Sequence, residues 1–141
     1  MPRCSKSWRD KVAQPRSPKK VRLDAPFAGI PAGTMLFVGT PQIVDAYIRK
    51  VPAGETRTVL RLRRDLARQN GCEATCPVST AVFIRMVAEA ALEELDAGRS
   101  VAEVTPFWRV VEPDSTIARK LPVDTAWLHA QRAREATAPP A

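Results

Sequence analysis

The chain has a single histidine, His129, and only three cysteines, Cys4, Cys72 and Cys76. An odd cysteine number without a secretory context argues against a disulfide framework. Zinc needs four ligands; beyond Cys72 and Cys76 only one more cysteine and the one histidine remain. Free thiols are therefore expected, and no metal or other cofactor is assigned. Long apolar runs are also missing: none approaches the ~20 residues needed to span a bilayer, so no membrane partner is expected. The N-terminus, Met1 to Lys6, is charged but is not followed by the apolar stretch of a secretory signal, which makes the cytoplasm the expected compartment. No P-loop, dinucleotide fingerprint, His-Glu-x-x-His helix or clustered carboxylate pair occurs.

What is present fits one domain. The 141 residues, 45% hydrophobic, suffice for one real core and are too few for two ordinary domains. The formal charge is +7, from 22 Lys and Arg against 15 Asp and Glu. Its distribution is uneven: Met1 to Leu23 holds eight bases and one acid, and the remaining chain balances to zero. A basic arm on a neutral body is a footprint of polyanion binding, because Lys and Arg release counterions condensed on phosphates. A solubilising tail is the alternative.

From Met1 to Gly33, five prolines among polar and basic residues predict an extended or flexible arm, with at most a turn near Ser7–Val12. Trp8 and Phe27 are expected to dock on the body. Thr34 to Val38 reads as a short strand. Thr40-Pro41 is N-cap chemistry for a first helix carrying Ile43, Val44, Tyr47, Ile48 and Val51, stopped by Pro52-Ala53-Gly54. Thr58 caps a second helix running to about Asn70, with Val59, Leu62 and Leu66 inward. A third helix begins at Pro77 or Ser79 and ends at Gly98, with Val82, Phe83, Val87, Ala90, Ala91 and Leu95 mainly buried. Thr105 to Val111 is β-favouring, Glu112 to Ser115 is turn chemistry, and Thr116-Ile117 begins a return strand. A last helix starts near Asp124. The predicted class is α+β, mainly α: a winged helix-turn-helix-like domain with a small β-hairpin as its wing. Its divisions are a basic Pro-rich arm over 1–33, the domain over 34–136 and a tail over 137–141.

The order of short motifs resembles the methylated-DNA–protein-cysteine methyltransferases and their alkyltransferase-like relatives. Val51-Pro52-Ala53-Gly54-Glu55-Thr56-Arg57-Thr58 is similar to the family's turn into its helix-turn-helix. Thr105-Pro106-Phe107-Trp108-Arg109-Val110-Val111 is similar to its active-site strand, and Trp127-Leu128 to its closing helix. The likeness spans about Thr40 to Ala136 and omits the family's N-terminal domain. In that comparison Phe107 replaces the catalytic cysteine and Trp108 the histidine that activates it. Alkyl transfer needs a thiolate made by a neighbouring base, so no catalytic residue is assigned. Val59 falls at the family's nucleotide-side tyrosine, and Thr80 near the arginine that replaces the flipped base. Val59, Phe107, Trp108 and Arg109 thus form an expected degenerate pocket, either a base-stacking platform or, for the aromatics, core.

The resemblance implies double-stranded DNA as partner and, more narrowly, the sensing of alkylated bases without repair. The residues point the same way. Arg57, Arg61, Arg64 and Arg68 fall on one helical face, and a face of guanidinium with only Asp65 nearby favours phosphate. Ser79, Thr80 and Arg85, in the first turns of the third helix, are the expected groove contacts, and Arg119 and Lys120 the basic wing. The rival expectations are a protein-interaction module using the acidic end of the third helix (Glu89, Glu93, Glu94, Asp96), and a residual thiol enzyme using Cys72 or Cys76.

Overall fold

The computed structural model describes residues 7–137. In chain order these form α1 (Trp8–Ala13), β1 (Lys19–Arg22), β2 (Met35–Val38), α2 (Pro41–Arg49), α3 (Val59–Gln69), β3 (Ala74–Thr75), α4 (Pro77–Asp96), a 3-10 turn (Phe107–Arg109), α5 (Thr116–Arg119) and α6 (Thr125–Thr137). The class is α+β and mainly helical. Arg3, Cys4 and Lys6 of the basic arm, and positions 138–141 of the tail, lie outside the described residues. No helix among the described residues is long and apolar enough to cross a membrane.

Local chemistry sets the central helices. The Thr40 hydroxyl accepts the Ile43 N–H at 3.2 Å with Pro41 in the first turn, and the Thr58 hydroxyl accepts the Arg61 N–H at 3.0 Å. Each removes one orphan donor from a helix start. Gly71, at φ +67°, takes the left-handed conformation just past α3. One core then forms from Val44 and Ile48 of α2, Leu62 and Leu66 of α3, Ile84, Val87 and Ala91 of α4, and Leu128 of α6. Complete burial of each large apolar side chain contributes about 1.5–3 kcal/mol.

The sheet has the order β1-β2-β3, with β1 antiparallel and β3 parallel to β2. Lys20 lies opposite Phe37, which lies opposite Thr75; Val21 lies opposite Leu36, which lies opposite Ala74. Directly opposed residues share a face. One face therefore points Phe37 into the helical core, and the other points Leu36 and Ala74 at a small cluster with Ile30 and Cys76.

Two stretches differ from expectation. Residues 105–117 form no strand pair, so no wing hairpin follows α4. Phe107–Arg109 is a 3-10 turn, and Thr116–Arg119 is a helical turn capped by Ser115, whose hydroxyl accepts the Ala118 N–H at 3.2 Å. The reason is burial: from Val104 to Val111 every side chain except Arg109 is inside, whereas a half-buried strand alternates faces. The freed carbonyls of Trp108 and Val111 accept hydrogen bonds from the Arg132 guanidinium at 2.7 and 3.2 Å, and that of Arg109 accepts the Arg57 N–H at 2.8 Å.

The described part of the expected extended or flexible arm carries a short helix, α1, where a turn was expected near Ser7–Val12, and a paired strand, β1. Ser7 caps α1, and Glu93 on α4 accepts the Trp8 and Arg9 N–H groups at 2.9 and 3.0 Å. Trp8 packs partly buried against the core as expected, with Lys11 Nζ 4.1 Å from its ring centroid. Phe27 does not dock and is 40% exposed. The hairpin of this fold is β1–β2, not a later pair, because Lys19 to Arg22 find backbone partners on Met35 to Val38. Val82, expected inside, is 51% exposed on α4.

Candidate nucleic-acid interface

The outer side of α3 is the most cationic helix surface of the described chain. Arg61, Arg64 and Arg68 are exposed along it. Arg61 Nε lies 3.7 Å from Oδ2 of the half-buried Asp65, an i, i+4 pair; such helix-surface pairs contribute only about 0.3–0.5 kcal/mol. Arg64 and Arg68 have no carboxylate within salt-bridge distance among the described residues. Arg57 is placed differently: its guanidinium is half-buried, 2.9 Å from Glu55, and also donates to the Thr56 carbonyl.

Arg63 was not among the expected contacts, yet it belongs to the same helix side as Arg64. With Leu60, Arg64 and Arg68 it lines a groove closed on its far wall by Cys72 to Thr75. Its Nε is buried without a hydrogen-bond partner, and its carbonyl accepts the Thr75 hydroxyl at 2.7 Å. The signal that would have found it is its position three residues after Leu60 and four before Ala67, on the side that meets β3.

Behind this surface stands Tyr47 of α2, whose hydroxyl donates to Asp65 Oδ2. Burial, then the hydrogen bond and charge of Asp65, push the Tyr47 phenol up to about 12 against the opposing pull of Arg57 and Arg61. The protonated Tyr47 hydroxyl thus ties α2 to Asp65 of α3.

The expected contacts on α4 divide. Ser79 is half-buried, with a hydroxyl that has no partner. Thr80 is buried and donates back to the Cys76 carbonyl at 2.6 Å, so it faces the interior. Arg85 is 3.5 Å from Glu89 and 5.6 Å from the Trp8 ring centroid, held by its own fold. The exposed residues of this helix start are apolar, Val78 and Val82. Arg119 and Lys120 are exposed at the end of α5. Lys120 edges a slot of about 200 Å³ between α4 and α5, walled by Trp8, Val82, Met86 and Ile117.

The expected degenerate pocket is filled. Phe107 and Trp108 are 0% and 1% exposed, in contact edge to face at 5.4 Å, and Trp127 lies 5.8 Å from each, stacked on Phe107. Such offset and T-shaped pairs are stabilising arrangements for rings, and neither ring offers a face to a base. Val59 is half-buried against the core. Arg109 is structural: it donates to the Glu135 carboxylate at 2.9 and 2.6 Å and to the Val51 carbonyl at 2.7 Å. Burial pushes the Glu135 carboxyl up, but the hydrogen bond and charge of Arg109 outweigh it and hold the group below the usual carboxylate range.

The remaining chemistry is quiet. Cys76 is buried at the start of α4, and Cys72 is half-buried with Sγ 3.6 Å from the Asn70 carbonyl oxygen. His129 is exposed on α6. No cluster of three or more His, Cys, Asp or Glu suited to a metal occurs among the described residues. The acidic end of α4 is largely used internally: Glu89 pairs with Arg85, Glu93 caps α1, and Glu94 lies 3.2 Å from Arg9. Comparison with known proteins finds no matching family model, no matching curated protein and no matching solved structure.

Proposed function

We propose that this chain is a non-enzymatic, double-stranded DNA-binding protein that lays α3 and the start of α4 against the duplex in the manner of a helix-turn-helix. The observation that carries this reading is the exposed row Arg61, Arg64 and Arg68, two of them without a carboxylate partner among the described residues, on a helix packed against β3, the strand that leads into α4. Guanidinium groups with no internal acid are suited to the phosphate backbone, where contacts fix register and orientation. The exposed Val78 and Val82 suit apolar contact with groove edges such as a thymine methyl. The absence of an enzyme rests on the same residues as the resemblance: Phe107 has no lone pair to attack with, and Trp108 cannot take a proton.

The sensing of alkylated bases is the narrower form of this reading and rests on the resemblance. With Phe107 and Trp108 buried, an extruded base would enter the slot beside Val82, Met86 and Ile117 instead. The use of the acidic end of α4 as a docking site for another protein gains less support, since three of its four carboxylates already serve the chain itself.

Fluorescence anisotropy with short duplexes, one plain and one carrying an alkylated guanine, across a salt series tests the proposal. Binding should weaken steeply with salt. The pair Arg61→Ala and Arg64→Ala should lower the slope of log K against log salt by roughly 1.8, at roughly 0.9 per phosphate contact. An affinity indifferent to salt would sink the reading, and tighter binding to the lesion would establish its narrower form.

A further inference from the structure

A second basic surface lies outside the helix-turn-helix. β1 is an edge strand whose four residues are all exposed. Lys19, Lys20 and Arg22 are three of those four, and none has a carboxylate within salt-bridge distance among the described residues. Arg22 Nη1 donates to the Gly33 carbonyl at 2.9 Å, which lays that side chain along the hairpin. Between β1 and β2 the chain tightens into a two-residue turn, Ala28-Gly29, with φ of +50° and +83°. The turn is closed by reciprocal backbone bonds between Phe27 and Ile30 at 2.9 and 2.8 Å. Ile30 folds back onto Leu36 and Cys76, whereas Phe27 stays 40% exposed.

We infer that this hairpin is a second DNA contact, in which Lys19, Lys20 and Arg22 hold phosphates and Phe27 enters the groove as an apolar wedge against a base step. The inference rests on the DNA-binding reading above and extends it to residues outside α3 and α4. Its exposure carries it: three bases stand on an open edge strand, without a carboxylate partner among the described residues, and an exposed aromatic stands at the turn. Lys20, Phe37 and Thr75 form one row across the sheet, and Thr75 donates to the carbonyl of Arg63 on α3. Two strand spacings of about 4.8 Å put the Lys20 backbone about 10 Å from β3, on the same sheet face as Thr75. Arg22, two residues on, shares that face. Lys20 and Arg22 stand on the sheet face that carries Phe37, and Lys19 on the other, so bases line both sides of the exposed β1 edge. One acid, Asp24, interrupts residues 19–38. An aromatic ring exposed at the turn of a basic hairpin suits an apolar wedge between partly unstacked base steps.

Two measurements on the full chain test this. In anisotropy salt series on a plain duplex, Lys19→Ala with Lys20→Ala and Arg22→Ala should lower the slope by roughly 2.7, three contacts at roughly 0.9 each. Lys19→Ala with Lys20→Ala alone, which leaves the bond from Arg22 to Gly33 intact, should lower it by roughly 1.8. A control that removes the same charge at Lys50, Arg99 and Arg134, all exposed elsewhere, should leave the slope unchanged. With a duplex carrying 2-aminopurine, the wild type should raise fluorescence by unstacking the probe, and Phe27→Ala should abolish the rise. Wild-type binding with unchanged slopes in the hairpin variants overturns the hairpin contact and spares the DNA-binding reading. Equal losses in the hairpin and control variants also overturn it, as diffuse attraction. A fluorescence rise that survives Phe27→Ala overturns the wedge, and no wild-type binding even at low salt overturns both proposals.

Discussion

At the scale of single residues, the pair of Tyr47 and Asp65 gives the cleanest readout, because Tyr47 is the only tyrosine in the chain. Its phenol is pushed up to about 12, first by burial and then by Asp65. The folded value lies above the unfolded one, so the stabilisation is fully present below pH 10 and is lost as pH rises through about 12. Absorbance at 295 nm should show a midpoint near 12 in the native protein and near 10 in denaturant; a native midpoint near 10 would mean that Tyr47 does not hold Asp65. Residues whose role is local were legible in the sequence: Thr40 and Thr58 cap helices from three residues away. Residues whose role is set across the fold were not. Arg57 and Arg109 read as site residues by spacing and by motif, yet Arg57 is tied to Glu55, and Arg109 is clamped by Glu135 and Val51.

At the scale of elements, helices α2, α3 and α4 followed from periodicity, caps and stop signals, and the short strand at Met35–Val38 from its apolar run. The β-favouring run at Thr105 to Val111 did not become a strand, because near-complete burial on all sides outweighed propensity. The true hairpin escaped notice because its turn is Ala28-Gly29, with Ala28 in the left-handed region at φ +50°, where asparagine or glycine is the usual signal. A non-glycine residue there costs about 1–2 kcal/mol. Ala28→Asn should therefore stabilise the protein by roughly 0.5–1 kcal/mol, a rise in Tm of about 2–4 °C. Calorimetry checks this, and a fall in Tm would contradict the turn geometry.

At the scale of the whole molecule, the basic N-terminal segment was legible as charge and not as structure. The order of its described part depends on contacts as distant in sequence as Trp8 and Glu93 and on the pairing of β1 with β2, which no local pattern reveals. Deletion of residues 1–22 should accordingly destabilise the remainder. Loss of the partly buried Trp8 alone removes up to about 1.5–3 kcal/mol of apolar burial, so Tm should drop by several degrees, at roughly 2–4 °C per kcal/mol. An unchanged Tm in a thermal melt of the truncated protein would restore the picture of a loose arm.

The open side of β1 has one more consequence, for colloidal behaviour. An edge strand presents unpaired N–H and C=O groups that template pairing with another copy, and lysines on it are a recognised guard against such growth. Here Lys19, Lys20 and Arg22 stand on that edge, so two molecules meeting edge to edge bring like charges together. This guard is electrostatic and weakens as the Debye length falls from about 10 Å at 0.1 M salt to about 3 Å at 1 M. The protein should therefore stay monodisperse in dilute buffer and be most prone to strand-to-strand aggregation in concentrated salt.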